Sequence, residues 1–361
     1  MTAQTQTRGL RFPKRTGRFA DLPRPLAVLA LAALVALILL GLPYALHPGP
    51  VAPPAHSVSG FTLYSRIIDR MRAGEPYERA AVSELRAEGG PIKPFVTVRP
   101  PLLAEALSRL PDIQARDTAL QLLGLIVIAA WTFRLRAYGQ SPIWIGFSAL
   151  AVFTGVVSTM VGAGLMSLFH EAWAGLFIAL SLALRRERRF WAAAVIGLLA
   201  ALTRELALPY LAVMIMAALV ERRRAEAAAF TAALVIAAAV LAWHAHAVMA
   251  LTLPGDAVSP GWVEFAGWNF VVLAARWNLL VLAFGLTAAA IVVPLAIWGA
   301  AGRRDSLGLR LAALLIGYSL GFMIIGRPAN SYWGLVTAPL LGVGLALAPA
   351  ALRDLSRRAM P

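Results

Sequence analysis

Long apolar runs, separated by short clusters of arginine, constrain the fold of this chain more than any other feature. A helix needs about 20 apolar residues to cross about 30 Å of hydrocarbon, and ten runs reach or approach that length. They cover residues 26–46, 117–133, 143–161, 165–184, 190–203, 206–220, 227–253, 279–301, 309–326 and 332–352. The sequence therefore predicts an all-α, polytopic transmembrane helix bundle of about ten spans.

The composition and the placement of charge agree with that class. Hydrophobic residues make up 60% of the chain and charged residues only 14%, whereas a soluble domain is about 45–50% apolar and about 25% charged. The net charge of +15 comes from arginines grouped between apolar runs, which is typical of the positive-inside pattern rather than of nucleic-acid binding. The lack of cysteine excludes disulfides, thiolate metal sites and a cysteine nucleophile.

Six basic clusters fix the predicted topology. They lie in the N-terminal arm and at residues 134–136, 185–189, 222–224, 303–310 and 353–358. When the runs are numbered as spans, all six clusters fall on one side, which the positive-inside rule assigns to the cytoplasm. The segment 190–220 must then cross twice, with a turn near residues 203–209. Both termini are predicted to be cytoplasmic.

This topology divides the chain into an arm and one domain. Residues 1–25 form a cytoplasmic basic arm, and residues 26–361 form a single transmembrane domain with periplasmic loops at 47–116 and 252–278. The basic stretch before the first run precedes no small-residue cleavage site, which predicts a retained anchor in a bacterial inner membrane. Helical spacing of Leu63, Ile67, Ile68 and Met71 predicts amphipathic helices in the first loop. Tryptophans and phenylalanines in the second loop indicate an interfacial belt or the wall of a ligand site.

Polar groups at membrane depth mark the predicted site, because burying them in a bilayer is costly. His170 and Glu171 are expected about two turns inside the fourth span, and Arg204 and Glu205 at the turn between two short helices. The remaining candidates on the same outer level are Arg276, Arg327, Tyr64, Asp69, Glu75 and Arg99. Arginines at this depth suit a phosphate group. An acid there can act as a general base or hold a divalent cation.

Alternatives to a ligand site remain open for these residues. Arg204 can pair internally with Glu171 or Glu205, and the first-loop residues can be solvated surface groups. His244 and His246 lie two apart on a predicted helix, so they do not share a face, and interfacial placement is favoured over metal binding.

Three segments together resemble a known family. They are GFTLYSRIIDRMRAGEPY at 60–77, FHEAWAGLFIALSLALR at 169–185 and GLLAALTRELALPYL at 197–211. With a first helix, a helical outer loop and many short-looped spans, the region from about 26 to 220 resembles the GT-C superfamily of integral-membrane glycosyltransferases. The resemblance implies transfer of a sugar from a polyprenyl-phosphate carrier to a glycan or lipid acceptor on the periplasmic face.

The resemblance also implies roles for residues. A carboxylate serves as base, with Asp69, Glu75 and Glu171 as candidates, while arginines hold the lipid phosphate that leaves. The chain departs from the family at Gly60, where the pattern has an acidic residue about four positions before Tyr64. Another acid then takes that role, or the chain is a non-catalytic, GT-C-like assembly protein. A transporter or lipid flippase is a further alternative, which would place polar groups along a path through the bilayer.

Overall fold

The chain is helical throughout the described parts of its computed structural model, which are residues 17–49, 59–160 and 166–360; no strand occurs within these ranges. The helices are α1 (Arg24–Leu46), α2 (Ser59–Arg72), α3 (Tyr77–Ala87), α4 (Leu102–Ser108), α5 (Ile113–Leu135), α6 (Pro142–Met160), α7 (His170–Leu184), α8 (Trp191–Thr203), α9 (Leu208–Val220), α10 (Arg224–Ala250), α11 (Gly267–Ala274), α12 (Leu279–Phe284), α13 (Leu286–Ala301), α14 (Ser306–Ile324) and α15 (Ala338–Ala359). Short 3-10 turns join several of them.

Within the described ranges, ten apolar helices correspond to the ten predicted runs. Six are long and apolar enough to cross a membrane, namely α1, α5 with the turn that follows it, α6, α10, α14 and α15. Four are shorter, namely α7, α8, α9 with the turn before it, and α13. The prediction of a membrane protein built from apolar helices in this order is therefore confirmed.

The helix boundaries differ from the prediction at three places. The run 279–301 is interrupted at Gly285, whose φ of +77° lies in a region that L-residues avoid. The run 332–352 begins as a 3-10 segment, Pro328–Val336, before α15. In the fourth run, α7 begins only at His170, after Phe169 in an extended conformation. The expectation that His170 and Glu171 lie two turns inside a span was wrong, since they occupy the first turn of α7.

The predicted turn between α8 and α9 is present. Thr203 ends α8, Arg204 is extended (φ −154°, ψ 124°), and α9 begins at Leu208 with Pro209 in its first turn. Proline is tolerated there because its missing N–H has no helical acceptor at that position. The start of α8 and the end of α9 meet, since Arg223 Nη2 lies 2.9 Å from Glu187 Oε1.

The basic clusters gather at one end of the bundle, called here the arginine-rich end (residues 17–21, 134–138, 185–189, 221–226, 302–310 and 353–358). Arg134 donates to the Ala183 carbonyl at 2.8 Å. The Arg303 guanidinium stacks 3.9 Å from the Tyr138 ring centroid, and the Arg18 amide donates to the Gly302 carbonyl at 2.6 Å. The described residues of the six clusters thus share one end, as the alternation of apolar runs and arginines predicted. Residues 1–16 of the N-terminal arm lie outside the described part of the chain.

The opposite end, called here the loop end, is built from α2–α4 and residues 251–278. The two loops pack on each other through Arg86, which binds both carboxylate oxygens of Asp256 at 2.7 and 2.9 Å. Lys93 Nζ also donates to the Pro254 carbonyl at 3.1 Å. In the second loop Trp268 and Phe270 are buried, whereas Phe265 is exposed. The expected aromatic belt is therefore partly interior packing.

Glycines let three helices approach closely in the centre of the bundle. A Cβ at Gly299 of α13 would lie 2.1 Å from the Gly344 carbonyl oxygen of α15. One at Gly155 of α6 would lie 2.3 Å from the Ala338 carbonyl oxygen. In lipid, the hydrophobic effect does not drive helices together. Close backbone packing, which small residues such as these glycines allow, stabilises their association instead.

Candidate functional site

The candidate site lies at the loop end, where the first loop covers the N-terminus of α7 and the α8–α9 turn. Glu171 and Arg204 are 1% and 2% exposed. Arg204 Nε donates to Glu171 Oε1 at 2.6 Å, and Arg204 Nη1 also pairs with Glu205. Of the two alternatives left by the sequence, internal pairing of Arg204 is the one observed.

Local structure favours both partners at these positions. Glu171 lies in the first turn of α7, where the partial positive charge of the helix N-terminus stabilises a carboxylate. Arg204 is the C-cap residue of α8, where a cation is favoured. Because α7 and α8 pack side by side in opposite directions, these two helix ends are adjacent and the charges meet.

Arg99 completes the site from the first loop. Its Nη2 donates to the Tyr332 hydroxyl at 2.9 Å and lies 3.6 Å from Glu171 Oε1. The Tyr77 hydroxyl donates to the Arg99 carbonyl at 2.7 Å, which fixes the backbone of a segment already stiffened by the prolines that follow Arg99. The Arg99 side chain is 16% exposed, so it is the cation of this cluster that a ligand reaches first.

Aromatic rings surround the three charged residues. The rings of Tyr64 and His170 lie 5.2 Å apart, and Phe169 packs 5.9 Å from Tyr332 and 6.2 Å from Trp277. Burial raises the pKa of the Tyr64 hydroxyl, more than Arg99 lowers it, so the hydroxyl stays protonated and can donate. His170 Nε2 is buried and has no hydrogen-bond partner in the described structure. The cluster therefore retains unused hydrogen-bonding capacity beside its carboxylate.

The remaining candidates from the sequence lie outside this cluster. Asp69 is 68% exposed in its side chain and lies 4.0 Å from Arg72, while Glu75 binds Arg70 at 2.6 Å. Arg327 lies 3.3 Å from Glu264, and Arg276 is exposed. Of the acids and arginines predicted to form one layer, the structure brings together only Glu171, Arg204, Arg99 and their immediate neighbours.

His244 lies beside the segment that carries Arg99. It is buried, with Nε2 3.1 Å from the Val98 carbonyl and Nδ1 3.2 Å from Glu78. It therefore positions the segment that carries Arg99. The sequence favoured an interfacial histidine, but the ring is buried inside the protein. His246 is exposed, in agreement with the expectation that the two histidines do not share a face. Among the described residues no group of three or more His, Asp or Glu is placed to hold a metal ion.

A second buried charge cluster, at the arginine-rich end, was not anticipated. Arg185 at the C-cap of α7 binds both oxygens of Glu226, at 2.8 and 2.6 Å, and Arg310 binds the same carboxylate at 2.8 Å. Arg310 also lies 2.9 Å from Glu221. From the sequence, these arginines were interpreted only as charges that set the topology. The glutamates that lie among them were the sequence feature that could have predicted a buried charge cluster. This cluster joins α7, α10 and α14.

The sequence matches no family model, no curated protein and no solved structure. The functional argument therefore rests on the arrangement of residues.

Proposed function

We propose that this chain is an integral-membrane glycosyltransferase that takes a sugar from a polyprenyl-phosphate carrier and passes it to a glycan or lipid acceptor at the loop end. One observation carries the proposal: a buried carboxylate, Glu171, lies between two guanidiniums, and one of these, Arg99, is partly exposed. Arginine binds phosphate oxygens in a bidentate geometry. A lipid phosphate therefore has a cation to bind beside an acid.

The residues then divide the chemistry between them. When a phosphate binds Arg99, it replaces Glu171 as the partner of that guanidinium. Glu171 keeps its Oε1 on Arg204 and accepts the proton of an acceptor hydroxyl on its other carboxylate oxygen. The acceptor oxygen forms its bond to the anomeric carbon while the bond from that carbon to the phosphate oxygen breaks. The negative charge left on the lipid phosphate is stabilised by Arg99 and Arg204. Tyr64 and His170 are placed to orient hydroxyl groups of the ligand.

The topology supports the same assignment. The described basic residues gather at one end, and the positive-inside rule favours the cytoplasm for that end. We propose about ten crossings with both termini inside, an arrangement in which the loop end and its site face the periplasm across a bacterial inner membrane. A polyprenyl-phosphate donor would approach Arg99 from the surrounding lipid.

The second candidate is a non-catalytic assembly protein. It is favoured by the pairing of Glu171 with Arg204 and by Gly60, which stands where the resembling family has an acid. In that case the cluster only fastens the first loop to α7.

The amount of lipid-linked sugar in a strain that lacks the gene for this chain distinguishes these functions. We expect the strain to accumulate its lipid-linked donor, and the wild-type gene to reverse this. The Glu171→Gln variant, expressed at the same level, should fail to do so. Arg327→Gln, at an arginine of the same end but outside the cluster, should restore turnover and is the matched control. Full restoration by Glu171→Gln would instead support the assembly protein.

A further inference from the structure

The ring of His244 lies between two hydrogen-bond acceptors. Its Nε2 is 3.1 Å from the Val98 carbonyl oxygen, and its Nδ1 is 3.2 Å from a carboxylate oxygen of Glu78. A carbonyl oxygen and an ionised carboxylate only accept hydrogen bonds, whereas a neutral imidazole has a single N–H to donate. Both contacts are therefore satisfied only when His244 and Glu78 share one further proton.

This proton is held in a largely buried site. The side chains of His244 and Glu78 are 1% and 12% exposed. Glu78 lies in the first turn of α3, where the helix N-terminus stabilises a carboxylate, so the imidazole carries the proton and the contact is an ion pair. Loss of the proton leaves two acceptors facing each other, at Glu78 or at Val98, and burial of the ring hinders water from replacing the lost partner.

The rings around His244 do not change this proton count. The Tyr77 ring centroid lies 6.1 Å from that of His244, and the Phe95 centroid 6.4 Å from it. The Tyr77 hydroxyl donates to the Arg99 carbonyl, and burial raises the pKa of this hydroxyl well above its ordinary value. Tyr77 therefore stays neutral over the pH range in which histidine titrates.

The neighbouring charges leave Glu78 as the acid that pairs with His244. Arg99 and Arg204 act on Tyr77 from the candidate site, and both are cations that add no acceptor beside the ring. On α10 itself the next titratable group, His246, is exposed. Within the described ranges, Glu78 is the acid in contact with His244.

The pair holds the backbone that carries Arg99. His244 holds the carbonyl of Val98, and Tyr77, which precedes Glu78 in α3, holds the carbonyl of the next residue, Arg99. Two consecutive carbonyls are thus fixed by α10 and by the start of α3. The side chain of Arg99 leaves this backbone to reach Tyr332 and Glu171.

We propose that His244 and Glu78 form a pH switch that controls how firmly residues 95–99 are held. The contact binds the protonated imidazole, so its contribution is present in acid and lost as the pH rises through the range in which histidine titrates. Residues 95–99 then loosen and Arg99 is less well placed. The switch itself requires no sugar transfer. Its effect on a lipid phosphate rests on the proposed function, which assigns that phosphate to Arg99.

Hydrogen–deuterium exchange of the full chain in detergent tests the switch without any turnover. The amides of Thr97 and Val98 report on it, since both are hydrogen-bonded within the segment. Their protection factors, each relative to unfolded peptide at the same pH, should fall at least about fivefold between about pH 5 and about pH 8. Amides of α15, at the centre of the bundle, should keep theirs. Equal protection of residues 95–99 at both pH values would overturn the proposal, and so would an equal fall in α15.

Glu78→Gln separates the shared proton from other effects of pH. Its side-chain amide donates to the Nδ1 of a neutral imidazole while Nε2 still donates to Val98. We therefore expect residues 95–99 to stay protected at both pH values in this variant. His246→Gln, at the exposed histidine of the same helix, should keep the wild-type pH dependence. An unchanged pH dependence in Glu78→Gln would refute the switch, whereas failure of the proposed sugar transfer would leave all these exchange results unaffected.

Discussion

Glu171 and Arg204 depend on each other, because each is buried and alone would keep only one other charged partner, Arg99 for Glu171 and Glu205 for Arg204. We expect Arg204→Leu to lower the free energy of unfolding by about 3–5 kcal/mol, since it leaves a buried carboxylate with only the more distant Arg99. The double variant Arg204→Leu/Glu171→Leu should recover much of that loss. Denaturant unfolding in detergent measures both values.

An exposed pair on α4 is the control for that experiment. Arg109 and Glu105 lie 3.7 Å apart with exposed side chains, and Arg109→Leu should change stability by less than about 1 kcal/mol. If Arg204→Leu proved as mild as Arg109→Leu, the Glu171 cluster would be hydrated, and its role as a buried anchor would be wrong.

At single residues the sequence predicts which groups are unusual but not which groups meet. Polar residues in apolar surroundings identified Glu171 and Arg204, and their pairing was one of the expected alternatives. The contact of Arg99 with Tyr332 joins residues 233 positions apart, so no local pattern contains it. Arg185 and Arg310 resembled topology charges because their burial depends on how α7, α10 and α14 pack.

Contact between α13 and α15 depends on having no side chain at Gly299. Gly299→Ala places a Cβ against the Gly344 carbonyl, so the helices must separate, at a cost of about 1–3 kcal/mol. Gly317→Ala on α14 is the matched control, because nothing lies within 4 Å of its added Cβ. Its greater helix propensity should stabilise by up to about 1 kcal/mol. The two variants should shift the thermal unfolding midpoint in opposite directions, and an unchanged or raised midpoint for Gly299→Ala would contradict the close contact.

The contact between Arg86 and Asp256, which joins the two loops, is expected to break in acid. The hydrogen bond from Arg86, assisted by the Leu253 amide, lowers the pKa of Asp256 from 3.8 to about 2. A carboxylate with a depressed pKa stabilises the closed arrangement above its ordinary pKa and loses that effect as the pH falls. The contribution is therefore complete above about pH 4 and lost towards pH 2.

A spin label at Val258→Cys reports this opening, because the chain has no other cysteine. Its mobility should rise between about pH 4 and pH 2 in the wild-type background. With Arg86→Gln the label should already be mobile at neutral pH and change little over that range. Equal mobility in both backgrounds at pH 7 would show that Arg86 and Asp256 do not hold the loops together.

At the scale of helices, apolar runs predict existence and order well and boundaries poorly. The break between α8 and α9 was predictable because arginines at both ends of one run required an even number of crossings. The interruption at Gly285 and the 3-10 start of the last run were not, because hydropathy continues through both. Those positions are set by a backbone angle and by packing against α11, neither of which changes the apolar pattern.

For the whole molecule, the shared end of the basic clusters predicts a single orientation, and the α8–α9 pair is its most sensitive part. If each of these short helices crosses the bilayer, Arg188 and Arg222 lie on the same side. A single tilted crossing would put them on opposite sides. The contact between Glu187 and Arg223 supports the first arrangement.

Single cysteines in this cysteine-free chain test the orientation directly. Arg188→Cys and Arg222→Cys should react with a membrane-impermeant maleimide only after spheroplasts are lysed, because they belong to the arginine-rich end. Ala73→Cys and Gly255→Cys, exposed at the loop end, should react in intact spheroplasts. Opposite accessibility of residues 188 and 222 would mean one crossing between them and would reverse the side of every later helix. The loop end would then no longer be a single surface, and Arg99, Glu171 and Tyr332 could not lie at one face of the membrane as their contacts require.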